Sequence, residues 1–259
     1  MLKSILPLAL FFSAGLLTAA ETTLKIGAAI APHSEILEFV RPALKKQGIV
    51  LDIKVLDDEG QLNPALAEKQ IDANFFQHEP YLQTVAQERG YQFSVLAKVH
   101  VEPIGFYSQS IKSKTEFKPG SRIGIPNNPS NEYRALALLE QQGLIKLKKG
   151  INPNQSSPRD IAENPLQLKI VEIDAAQLPR SLTDLAGAVI NTNIVLESKL
   201  DPASAVFREN ATSPYANLVV IRKGEENRQE FVALKKALQS PELKAFILKK
   251  YGQAVIPAF

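Results

Sequence analysis

Apolar positions recur along the chain at two spacings, and the two spacings alternate. Residues 24–29 form a short apolar run closed by Pro32, predicted as a strand. Ile36, Leu37, Val40, Ala43 and Leu44 then fall at helical spacing up to Gly48, with Pro42 expected to kink or shorten that helix. Leu51, Ile53 and Val55 alternate with Asp52 and Lys54, the signature of a half-buried strand. Asn63-Pro64 reads as an N-cap followed by a first-turn proline. Residues 71–76 are strand-like, Pro80 opens a helix that stops at Gly90, and residues 93–107 are strand-rich.

The alternation resumes with a strand at 122–126, a turn at 127–131, and a helix carrying Ala135, Leu136, Leu138 and Leu139 up to Gly143. Residues 148–164 are polar, with a short capped helix after Ser157-Pro158. Strands follow at 168–173, 188–190 and 217–221, and the last 35 residues carry two amphipathic helices, the second opened by Ser240-Pro241. Strands alternating with helices predict parallel α/β sheets. A weak internal echo adds to this. Residues 71–73 run into Phe75-Phe76-Gln77-His78, and residues 187–190 run into Asn191-Thr192-Asn193. Ligands of open α/β sheets sit beyond the carboxyl ends of strands, so two such ends suggest two lobes facing one cleft.

Composition narrows the picture. With 45% hydrophobic and 22% charged residues the 259-residue chain is globular, not disordered, fibrous or coiled-coil. Thirty basic against 27 acidic residues leave a net charge of +3, no footprint for nucleic acid. The absence of cysteine excludes disulfides, thiolate metal sites, cysteine nucleophiles and a lipid-modified cysteine within this sequence. Residues 1–20 pair Lys3 with an apolar core broken by Pro7 and a small-residue end, Thr18-Ala19-Ala20. This is the pattern of a secretory signal peptide cleaved near Ala20, not of a membrane span.

Catalytic chemistry is scarce. The histidines are His33, His78 and His100, and His78-Glu79-Pro80 opens like a zinc helix but position 82 is leucine. Polar contacts at strand ends are expected of them rather than a metal. Nucleophile elbow, phosphate loop and dinucleotide fingerprint are all missing, so no catalytic residue or cofactor is assigned. Binding chemistry is better supplied. Asn131-Glu132-Tyr133-Arg134 opens a helix, where free N–H groups and a guanidinium favour an anion. Phe75, Phe76, His78 and Tyr81 cluster at one strand-to-helix junction, with core packing expected for one of the two phenylalanines. Asn191, Asn193 and Asn217 flank apolar strands with amides that suit a zwitterion.

At this point the sequence resembles the NlpA-type methionine-binding proteins, the substrate-binding components of methionine ABC importers. The resemblance spans about residues 24–259. It rests on Pro32-His33-Ser34-Glu35-Ile36-Leu37, Asp72-Ala73-Asn74-Phe75-Phe76-Gln77-His78-Glu79-Pro80-Tyr81-Leu82, Lys98-Val99-His100-Val101-Glu102-Pro103 and Ile125-Pro126-Asn127. Ala176-Gln177-Leu178-Pro179-Arg180, Ala188-Val189-Ile190-Asn191-Thr192-Asn193, Ser213-Pro214-Tyr215-Ala216-Asn217 and Ala254-Val255-Ile256-Pro257 complete it.

The resemblance implies an α/β, two-lobed periplasmic-binding-protein fold of type II with the ligand cleft between the lobes. Lobe 1 would hold residues 21–104 plus 218–259 and lobe 2 residues 105–217, hinged near 101–107 and 213–220. Phe76, His78 and Tyr81 would line the methionine side chain. Arg134 with Asn131 would grip the carboxylate, and Asn191 and Asn217 would hold the head group. An ABC permease with its ATPase is the implied partner, and the periplasm the implied location.

Two departures stand out. The family's N-terminal lipidated cysteine is missing, so a receptor without a lipid anchor is expected; separately, a monomer is expected. Glu59 replaces a tyrosine that packs on the ligand in the family, and Tyr133 stands where a small residue is common, either refilling that space or pointing to solvent. Both act as candidate specificity modifiers, so the ligand is methionine, a methionine relative or another amino acid. The rival reading is a hydrolase or lyase of amino-acid derivatives using the same cleft.

Overall fold

The computed structural model describes residues 21–56, 58–153, 156–210 and 213–259; the signal-peptide expectation at 1–20 lies outside them. The chain runs β1 (Thr22–Ala28), α1 (Glu35–Lys45), β2 (Ile49–Val55), α2 (Leu62–Ala67), β3 (Ala73–His78), α3 (Glu79–Arg89) and β4 (Phe93–Val101). It continues through β5 (Gly105–Tyr107), β6 (Arg122–Pro126), α4 (Pro129–Gln141), β7 (Lys146–Leu147), β8 (Ile161–Glu163), β9 (Lys169–Ile173) and α5 (Leu178–Ser181). It ends with β10 (Gly187–Ile190), α6 (Thr192–Glu197), β11 (Phe207–Arg208), β12 (Ala216–Arg222), α7 (Gln229–Leu238), α8 (Pro241–Tyr251) and β13 (Ile256–Pro257).

Two sheets result. The first has the order β13-β4-β12-β3-β1-β2, the second β11-β5-β10-β6-β9. The chain leaves the first sheet after Val101, enters the second at Gly105, and returns at Ala216, where β12 begins. Within each sheet the helix-linked strands are parallel, β3-β1-β2 and β10-β6-β9, as the alternation predicts. The sheets as wholes are mixed, which corrects that expectation. β12 runs antiparallel between β3 and β4, and β5 runs antiparallel to β10, because these are the strands that carry the chain across.

Local chemistry explains the boundaries. His78 caps α3, Pro80 sits in its first turn, and Gly90 ends it at φ 71, a left-handed position that favours glycine. Asn128 caps α4 and Ser240 caps α8, each followed by a first-turn proline. Pro42 is accommodated inside α1, two turns from its start. Asn63 does not cap α2 as its spacing suggested. It lies inside the helix, and its amide turns inward to Gln77.

Each sheet has its own core. Leu24, Ile26, Phe75, Val99, Phe231, Leu234 and Ile247 pack the first against α1, α7 and α8, and Phe106, Ile123, Ile125, Leu136 and Leu139 pack the second against α4. Gly187 on β10 lies under this second layer. A Cβ there would come within 2.2 Å of the Phe106 ring and 2.6 Å of the Tyr107 carbonyl oxygen. Gly187→Ala should therefore cost about 1–3 kcal/mol by overpacking, lowering the melting temperature by roughly 2–10 °C. A variant that melts with the wild type would show that β10 can yield.

Candidate functional site

The carboxyl ends of β3, β6 and β10 point into a cleft between the sheets that holds a cavity of about 340 Å³. Phe76, His78, Tyr81, Asn131, Arg134, Asn191, Asn217 and Glu59 all line it. Strand alternation explains Phe75 and Phe76: Phe75 is fully buried in the first core, and Phe76 faces the opposite way. Tyr133 does not line the cavity. It packs against the second core, correcting both alternatives, because Asn131 and Arg134 share one face of α4 and the intervening position points elsewhere.

Hydrogen bonds cross the cleft at this cavity. His78 accepts from the Tyr81 N–H at Nδ1 (3.2 Å), so its Nε2 carries the proton and donates to Asn131 Oδ1 at 3.1 Å. The same oxygen accepts from Asn191 Nδ2 at 2.9 Å. Burial and the Arg134 charge push His78 down to about 3, so the ring is neutral. Farther along the cleft, Asn193 Nδ2 donates to Glu59 Oε1 at 2.8 Å. Glu59 thus faces the cavity, and burial, with Glu197 and Glu102 nearby, pushes its carboxyl up to about 8.

Arg134 is buried and heavily engaged. Nε and Nη2 donate to the two oxygens of Glu209, the former at 2.8 Å, and Nη2 also donates to the Glu102 carbonyl at 2.7 Å. The guanidinium lies 4.3 Å from the centre of the Tyr215 ring. Nη1 has no hydrogen-bond partner among the described residues.

Beneath the cavity, His33, His100 and Glu102 gather with potential ligand atoms within 4.8 Å of one another. Their contacts are those of a hydrogen-bond network. His100 Nε2 donates to Glu102 Oε1 at 2.7 Å, His33 Nε2 to Asn217 Oδ1 at 3.2 Å, and Asn217 Nδ2 to Glu102 Oε1 at 3.3 Å. A metal-bound histidine normally donates its other N–H to an acceptor. Neither Nδ1 has a partner among the described residues, which suits bare acceptor nitrogens and not a metal site. Burial alone would raise Glu102, but the His100 hydrogen bond and the neighbouring His33, His100 and Arg134 groups hold its carboxyl below the ordinary range. Burial pushes His33 down to about 4.

Several of these residues escape sequence reasoning. Glu102 is visible as the one acid in an apolar stretch, but Glu209 and Glu197 carry no local signal. Only folding brings Glu209 to Arg134 across 75 positions.

A cavity between two α/β units, lined by strand ends from both, defines a two-lobed substrate-binding protein of the periplasmic type. The sequence profile of the NlpA lipoprotein family matches residues 24–259, and the chain belongs to that family. It is similar to the methionine-binding lipoprotein MetQ of Bacillus subtilis, 37% identical over 237 residues, covering 90% of this chain and 86% of that protein. The D-methionine-binding lipoprotein MetQ of Escherichia coli K12 is 39% identical over 224 residues, covering 85% and 82%. A nutrient binding protein from Burkholderia cenocepacia, solved bound to methionine, superposes with a TM-score of 0.88 at 43% identity, covering 91% of this chain and 100% of that one.

The neutral His78 has a consequence for stability. Unfolded, it protonates below its ordinary 6.5, whereas folded it resists protonation down to about 3. Stability is therefore full above 6.5 and falls as the pH drops toward 3. His78→Gln should remove about 2–3 kcal/mol of the loss between pH 7.5 and 4.5, read as a flatter pH dependence in denaturant melts. An unchanged slope would mean the ring is solvated.

Proposed function

We propose that the chain is the extracytoplasmic receptor of an ABC importer, closing over a free amino acid of the methionine class and delivering it to a permease with its ATPase. The observation that carries this is the methionine-bound relative, alike over 91% of this chain. The cavity supports it in size, being within the range of small-molecule sites. In this reading residues 21–104 with 218–259 form one lobe and residues 105–217 the other, closing about the segments near 101–107 and 213–220. Phe76 and Tyr81 wall the side chain, and His78 fixes Asn131. The amides of Asn131, Asn191 and Asn217 take the head group, and Arg134 Nη1 takes the carboxylate.

The lining favours binding over catalysis. Its polar groups are amides, carboxylates, the Tyr81 hydroxyl, one imidazole and one arginine, with no serine, threonine, cysteine or lysine among the described lining residues. A hydrolase that works through a side-chain hydroxyl or thiol would need one held beside a base, whereas the histidine here is neutral with both nitrogens engaged. No helix among the described residues is long and apolar enough to cross a membrane. We place the receptor in the periplasm after removal of residues 1–20. The relatives' names include lipoprotein, which stands against the expected unanchored form. The 259 residues hold no cysteine for a thioether-linked lipid, and fractionation of cells into soluble and membrane-bound protein tests that expectation.

Calorimetry with L- and D-methionine tests the function. Arg134→Ala alone would strand the Glu209 charge, so Arg134→Ala with Glu209→Gln is compared with Glu209→Gln. Loss of a buried charged partner should cost about 2–5 kcal/mol, roughly 30- to 5000-fold in affinity. Equal affinity would remove Arg134 as anchor, and a folded wild type that ignores methionine would overturn the ligand class.

A further inference from the structure

Glu59 turns the side-chain end of the cleft into an acidic, aromatic-walled chamber. It sits in a tight turn at Glu59–Gln61 on the first-sheet side, and across the cleft stand Asn193 and Glu197 of α6. Asn193 Nδ2 occupies Oε1, while Oε2 has no hydrogen-bond partner among the described residues. The Phe76 and Tyr81 rings meet edge to face, centroids 5.9 Å apart, at the same end. The Tyr81 hydroxyl is pushed up by burial first and then by the charges of Glu59 and Asp58, and all three residues line the cavity.

We propose that this receptor accepts, besides methionine, α-amino acids whose side chain ends in a positive charge, and that Glu59 selects them. The inference rests on the amino-acid reading of the cleft given above; the acidic groups do not create the site but set what its far end prefers. Two independent features attract a cation there, the aromatic walls and the carboxyl groups. The charge balance agrees. Asp58, Glu59, Glu102, Asp174 and Glu197 line the cavity, whereas Arg134 is the only lysine or arginine among the described lining residues, and its charge is engaged by Glu209. A zwitterionic head group adds no net charge, so a sulfonium or ammonium on the side chain is what brings positive charge to this acidic lining. A thioether has the shape of a sulfonium without its charge, which is why one chamber can take both.

The protonation state of Glu59 lets the two ligand classes be told apart. With Asp58 in the same turn, Tyr81 on α3, His78 on β3, Glu102 on the first crossing, Asp174 ahead of α5, Glu197 on α6 and Arg134 on α4 around the cavity, Glu59 titrates at about 8. Below that pH it is neutral and tolerates an apolar thioether. A cation favours the ionised form and so expels the proton. Affinity for a cationic ligand must rise with pH up to about 8, and affinity for methionine must stay level or fall.

Calorimetry at pH 6, 7 and 8 with L-methionine, S-methyl-L-methionine as a fixed sulfonium, and L-lysine as an ammonium tests this. The sulfonium should gain up to about tenfold in affinity per pH unit, with proton release seen as heat that varies with the buffer. Glu59→Gln, checked for wild-type melting, should weaken the sulfonium about tenfold or more relative to methionine and abolish the pH dependence of sulfonium binding. Lysine binding alongside the sulfonium would mean that charge alone is read; a sulfonium-only response would restrict the class to sulfur cations. Methionine binding with neither cation bound, or a sulfonium affinity indifferent to pH and to Glu59→Gln, would overturn the inference and leave the receptor function standing. If nothing binds to the folded protein, the amino-acid reading fails and this inference with it.

Discussion

The constraint on which the structure turns is the buried charge of Arg134. A guanidinium removed from water must be paired, or it costs several kcal/mol. Here it is paired with Glu209 and the Glu102 carbonyl, and it stacks on Tyr215. Glu102 lies on the first passage between the sheets, and Glu209 and Tyr215 lie on the second. One side chain at the start of α4 therefore holds both crossings against the helix that faces the cleft. Glu209 also accepts from the Ile104 N–H at 3.2 Å, tying one crossing directly to the other. The pair thus acts at the place where the relative position of the sheets is set.

The polar residues under the cavity obey the same rule. Asn63, Asn74 and Gln77 are buried, and they satisfy one another: Asn63 Nδ2 donates to Gln77 Oε1 at 2.9 Å, Gln77 Nε2 to Asn63 Oδ1 at 2.8 Å, and Asn74 Nδ2 to Asn63 Oδ1 at 2.9 Å. Buried amides without partners would cost more than apolar replacements, whereas a satisfied network fixes geometry. This network locks α2 to β3, and so places Phe76 and His78. The His33, His100 and Glu102 cluster does the same for Asn217. Where the floor's polar groups are paired, they have exchanged water for one another, which favours one arrangement of the floor.

Much of this was legible in the sequence where the chemistry is local. Helix caps at Asn128 and Ser240, and the stop at Gly90, follow from residue type alone. The positions of Phe76, His78, Asn131 and Asn191 follow from strand ends and helix starts, and the resemblance to the NlpA family covered nearly the whole described chain. What could not be read depends on distance in sequence. Glu59 meets Asn193 across 134 positions, and no pattern announces that meeting. Asn63 shows the converse failure: an Asn-Pro pair looks like a cap, but tertiary burial of its amide overrode that preference. Tyr133 departs from expectation for a related reason: it adjoins Arg134 in sequence, but a helix sets neighbours by turn, and its ring packs on the second core.

The bonds that cross the cleft also bear on how closure is coupled to ligand. His78 to Asn131 and Glu59 to Asn193 join the two sides through groups that line the cavity. Each is a single polar contact, of the order of 1 kcal/mol net in exchange with water. Such contacts hold a closed arrangement in shape without making it overwhelmingly stable by themselves. A ligand shifts an equilibrium between open and closed forms only by its differential affinity for the two. A small molecule that touches both sides at once has such a preference, because half of its contacts vanish on opening. In a receptor that closes as proposed, weak direct contacts across the cleft, with strong pairing of Arg134 at the crossings, would leave the decision to close with the bound molecule while the axis of closure stayed fixed.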